Sequence, residues 1–131
     1  MVKQDYIYQE VIYDLINYAG STLRLTKTEL RAKFSEFPIC VMDYIEEGVK
    51  EDVIEIRFDK EQATLSCIFD KNLRCNYAFL FFDDQTRLDD YVNQLNSMYK
   101  YDYVECQWRL PDCHLSLKRL GNDICMVFSC F

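Results

Sequence analysis

A chain of 131 residues that is half hydrophobic, with ten Tyr and nine Phe, holds enough apolar side chain for one packed core and too much for a disordered segment. Its 22 Asp and Glu against 15 Lys and Arg leave a net charge of −7, which disfavours nucleic acid as a partner. One His rules out sites that need two imidazoles, the apolar runs fall far short of the ~20 residues that cross a bilayer, and the start carries no basic region followed by an apolar stretch. A single cytoplasmic domain over residues 1–131 with no membrane association is the expectation.

Ile7, Val11, Leu15 and Tyr18 recur at helical spacing, with Ile12 and Ile16 widening the stripe, so Asp5 to Ala19 is predicted as a helix that stops at Gly20. Thr22 to Leu25 reads as a short extended piece. Thr26 followed by Glu29 has capping-box spacing and starts a helix over Lys27 to Phe34. A third helix is predicted from Pro38 to Val49, with Val41, Met42, Ile45 and Val49 on one face and Asp43, Glu46, Glu47 and Lys50 on the other. From Val53 the period becomes two, and Val53 to Phe58 and Ala63 to Phe69 form a hairpin about Asp59 to Gln62. Cys75 to Phe82 is apolar throughout and reads as a central strand covered on both faces. Asp83 or Asp84 then caps an amphipathic helix carrying Leu88, Tyr91, Val92, Leu95, Met98 and Tyr99. Tyr103 to Leu110, His114 to Leu120 and Ile124 to Cys130 complete the strands, the last two joined by a tight turn at Gly121, Asn122 and Asp123. Helices first and strands afterwards, with short connections, give an α+β domain whose antiparallel sheet has one amphipathic helix inserted.

Seven Cys without a CxxC pair point away from a zinc site and from a complete disulfide framework. Cys67 between Leu65 and Phe69, and Cys106 between Val104 and Trp108, fit buried strand positions, where a free Cys acts as a small hydrophobe. His114 alternates with Ser116 and Lys118, the pattern of a surface His, and adjacent Cys113 is on the opposite strand face from it. No phosphate loop, EF-hand spacing or Gly-flanked serine is present. No catalytic residue, metal ligand or cofactor is therefore expected. A small enzyme using an unrecognised carboxylate site is the alternative that the paired acids leave open.

From Thr26 to Phe69, the order of capped helix, second helix ending in Tyr44-Ile-Glu-Glu-Gly-Val49 and hairpin resembles the winged helix-turn-helix family. That resemblance implies a second helix lying in the major groove. Phe37 to Asp43 offers no Arg, Lys, Asn or Gln to read a base, and the wing turn Asp59-Lys-Glu-Gln62 offers little to hold phosphates. An adaptor or inhibitor with a protein target is what this resemblance leaves.

Across the whole chain, size, acidity, cytoplasmic character and the lack of a catalytic set resemble the immunity proteins of bacterial toxin–immunity systems of the contact-dependent growth inhibition type. The resemblance implies a non-catalytic protein that neutralises a cognate basic toxin domain, such as a nuclease, by occupying it. Acids steer a basic partner and Tyr offers contact area at low entropic cost. The candidate contact residues are Asp43, Glu46, Glu47, Glu51, Asp83, Asp84, Asp89, Asp90, Tyr101 and Tyr103.

Overall fold

A computed structural model of the chain describes residues 2–46 and 49–131, and the side chains of residues 11–41 and 53–131. Helix α1 runs from Val2 to Thr22, past Gly20, and ends where Arg24 takes the left-handed conformation at φ 72°. Thr22 to Leu25 is thus a helix end and turn, and no extended piece precedes α2 (Lys27–Lys33). The Thr26 capping box forms as its spacing predicts, with Glu29 N donating to Thr26 Oγ1 at 3.2 Å and Thr26 N to Glu29 Oε1 at 3.1 Å.

The predicted third helix is a strand. Ile39–Glu46 (β1) pairs antiparallel with Val49–Phe58 (β2), from Ile39 opposite Ile56 to Glu46 opposite Val49. The apolar spacing of Val41, Met42 and Ile45 suits a helix, but Ile39, Val41, Tyr44 and Ile45 are strand formers, and the neighbouring β2 supplies the ladder that decides between them. Without a second helix, the helix-turn-helix arrangement implied by the winged-helix resemblance does not form.

Strands β3 (Ala63–Phe69) and β4 (Cys75–Phe82) continue the meander. A 3₁₀ turn (Gln85–Arg87), capped by the Asp84 side chain accepting from Thr86 N at 3.0 Å, leads into α3 (Leu88–Met98). Then come β5 (Lys100–Asp102), β6 (Gln107–Arg109), β7 (His114–Leu120) and β8 (Asp123–Ser129). The β7–β8 turn has Gly121 at φ 63°, a left-handed first position that favours glycine. Among the described residues the strands form one antiparallel sheet in the order β1-β2-β3-β4-β8-β7-β6-β5. Two four-stranded meanders, each preceded by helix, therefore meet at the β4–β8 pair, related by the local two-fold of an antiparallel ladder. This repetition is one of topology; the sequence carries no matching repeat.

The segment predicted as one strand from Tyr103 to Leu110 is a hairpin turn followed by β6. Asp102 Oδ1 accepts from Val104 N at 3.0 Å and Glu105 N at 3.2 Å, and Cys106 sits at φ 55°. Val104 and Cys106 are exposed, against the expectation of burial, while Trp108 and Leu110 are buried as their alternation predicts.

One row crosses the whole sheet on its helix side: Val41, Ile54, Cys67, Ala78, Phe128, Leu115, Trp108 and Tyr101, each opposite the next. The six inner residues of this row are buried. Against it pack Ile12, Leu15, Ile16 and Ala19 of α1, Leu30 of α2 with Phe34 at its C-cap, and Leu88, Tyr91 and Leu95 of α3. The Tyr18, Phe37 and Phe58 rings close one end, with Tyr18 stacked on Phe58 at 4.8 Å. No helix among the described residues is long and apolar enough to cross a membrane.

Candidate interaction surface

The opposite side of the sheet has no helix over it among the described residues. Alternation places two cross-sheet rows there: Val53, Ile68, Tyr77, Ser129, His114 and Arg109, and beside it Glu55, Ser66, Phe79, Val127 and Ser116. Phe81, opposite Thr64, extends the patch. Tyr77 is 43% exposed, and Val53, Ile68, Phe79 and Phe81 are half-buried by their neighbours alone. This corrects the reading of β4 as covered on both faces: its even-numbered residues Ala78, Leu80 and Phe82 are buried, and its aromatic residues at 77, 79 and 81 face outward.

The patch is stiffened from its edges. Tyr77 and Phe79 rings stack at 6.5 Å, and Lys118 Nζ lies 5.7 Å from the centre of the Phe79 ring. At one flank, Arg57 donates to Asp83 at 2.8 Å, to Asp59 at 3.0 Å and to Thr64 at 3.0 Å. These bonds hold the Asp83 carboxyl below its usual range and raise the Arg57 guanidinium. At the other flank, the His114 ring meets Phe131 edge-on at 4.5 Å, with the Arg109 guanidinium 5.8 Å from the same ring. An apolar, aromatic centre with an ionic rim is the anatomy of a protein contact surface.

The ten residues singled out in the sequence do not converge. Asp43, Glu46 and Glu51 belong to the β1–β2 hairpin, so the helix face on which they were placed together does not exist; Glu47 lies outside the described residues. Asp83, Asp84, Asp89 and Asp90 sit at the opposite end of the strands, where β4 leaves the sheet. Asp83 is committed to Arg57, Asp84 caps the 3₁₀ turn, and Asp89 and Asp90 are exposed in the first turn of α3, next to its positive end. Tyr101 and Tyr103 lie at the far edge, seven strand spacings or about 33 Å from β1. Tyr101 packs against Trp108 at 4.8 Å, whereas Tyr103 is 85% exposed on the hairpin tip. Among the described residues no three His, Cys, Asp or Glu side chains gather as a metal site would require.

Sequence reasoning missed the uncovered face, although one signal was available. All strand connections but the β4–β5 link that carries α3 are hairpins, and an antiparallel sheet with a single inserted helix commonly leaves one side uncovered. Of the cysteines, Cys67, Cys75, Cys113 and Cys125 are buried; the Cys67 thiol, hydrogen-bonded to Cys75 and desolvated, is held protonated. No family model, curated protein or solved structure matches the chain.

Proposed function

We propose that this chain is a non-catalytic, cytoplasmic immunity-type protein that binds a cognate basic toxin domain and neutralises it by occupation. What supports this reading is the uncovered face centred on Tyr77, Phe79 and Phe81, a rigid aromatic platform framed by ionic groups. The net charge of −7 steers a basic partner towards it. The acids at the two ends of the strands serve the encounter, and the aromatic centre supplies the affinity.

Co-expression with a cognate toxin domain is expected to restore growth. The double variant Tyr77→Ala, Phe79→Ala should weaken binding by roughly 30-fold or more, the scale of a central hot spot. Circular dichroism and thermal melting verify that the variant is folded. Growth arrest that persists with this protein in excess sinks the immunity reading, and wild-type affinity of the folded double variant removes this face as the site.

A further inference from the structure

On the helix side, away from that face, a groove of about 460 Å³ runs between α1 and the β6–β7 loop. Ile16, Leu110 and Cys113 form its apolar floor, Tyr13 and Tyr99 stand on its walls, and Asp112 is its charged residue; among the described residues no Lys, Arg or His lines it. Tyr13 is 52% exposed and Asp112 is exposed, whereas Leu110 and Cys113 are buried. An apolar floor suits methylene groups, tyrosine rings attract a cation through their faces, and one carboxylate without a counter-ion in the lining completes the complementarity.

We infer that this groove receives a cationic group on an apolar stem, and that its source is a Lys or Arg side chain of a protein partner. The electrostatics of the walls agree. Burial and the Asp112 carboxylate push the Cys113 thiol up to about 11, and burial together with Tyr13 raises the Tyr99 phenol, so added negative charge is disfavoured here. A groove open to the surface admits a side chain without rearrangement of α1. The inference rests on the protein-binding reading only for the source of the cation. It is measured on the isolated protein, so failure here leaves the Tyr77–Phe79 face untouched, and failure of that face leaves this result standing.

The experiment titrates the full chain with N-acetylarginine N-methylamide, its uncharged citrulline counterpart and butylguanidinium, following backbone amide shifts by NMR. The arginine probe is expected to perturb amides around Ile16, Tyr99 and Cys113, and to bind about 3- to 30-fold tighter than citrulline. Asp112→Asn and Tyr13→Leu, both at exposed positions, should each weaken it by several-fold (roughly 3-fold or more). Equal binding of citrulline, perturbations centred elsewhere, or indifference to Asp112→Asn would overturn the cation site. Butylguanidinium keeps only the stem and the cation and is expected to bind comparably; an arginine amide that binds weaker than it by about tenfold or more would show that the groove rejects a backbone-borne side chain and would overturn the assignment to a protein partner.

Discussion

From one flank of the aromatic face, the Arg57 guanidinium reaches Asp59 and Thr64, both near it in sequence, and Asp83, 26 residues away. Both partners of the Arg57–Asp83 pair are partly exposed, so solvent screening keeps its contribution to about 1 kcal/mol or less. The Asp83 carboxyl titrates lower in the folded protein than in the unfolded chain. Its stabilisation is therefore present above the unfolded carboxylate range, about pH 4, and disappears as pH falls through the depressed folded value. Asp83→Asn should accordingly lower the urea midpoint at pH 7, and the difference from the parent should close in strong acid; parallel midpoints across that range would contradict the assignment. From sequence, Asp83 reads as a helix cap or a contact acid, because the partner that fixes its role is 26 residues away. The cap role falls to Asp84, one residue on, for which local spacing was sufficient information.

At the scale of elements, α3 is fastened to the second meander through the chain's one Trp. Trp108 Nε1 donates to Asn96 Oδ1 at 2.9 Å while its ring is buried beneath the helix layer. Asn96→Ala leaves that N–H without its acceptor and is expected to cost about 1–3 kcal/mol in denaturant unfolding, with a shift in Trp emission as the indole finds water. An unchanged midpoint would mean that the indole is satisfied in another way. Strongly periodic elements such as α3, β3 and β7 were legible in the sequence, as were the Thr26 capping box and the Gly121 turn. Two elements were not. In β1, the spacing of Val41, Met42 and Ile45 suits a helix, and only pairing with β2 makes the segment a strand. The β5–β6 turn contains no Gly, Pro or Asn; an Asp102 side chain and a left-handed Cys106 make it, and neither announces itself in a run of alternating apolar residues.

For the molecule as a whole, the β4–β8 ladder is the seam between the two meanders, from Tyr77 opposite Ser129 to Leu80 opposite Met126. Truncation after Leu120 removes β8, leaves β4 and β7 without their shared neighbour, and deletes the buried Met126 and Phe128. Cooperative unfolding should be lost; a truncated chain that still melts in one sharp calorimetric transition would show that the meanders are independent. Duplex DNA is expected not to bind at physiological salt, because the acidic β1–β2 region is a sheet edge without a groove-entering helix. Salt-sensitive micromolar retention in a gel shift would reverse that expectation. Lys reversals of Asp89 and Asp90 should slow association with a basic partner more at low than at high ionic strength, without altering the melting temperature. Equal association rates at both ionic strengths would exclude that helix start from steering.

The same seam governs the order in which the chain can be completed during synthesis. Strands β1 to β4 are consecutive and can pair as they emerge, but β4, the apolar run Cys-Asn-Tyr-Ala-Phe-Leu-Phe-Phe, then presents a bare edge until β8 arrives about fifty residues later. At translation rates of roughly 5–20 residues per second, that edge is open for several seconds, long enough for another nascent copy to pair with it. The interval makes yield a matter of timing as much as of final stability. Slowing elongation through codons 84–122 should send more of the protein into inclusion bodies, while the soluble fraction keeps the same melting temperature.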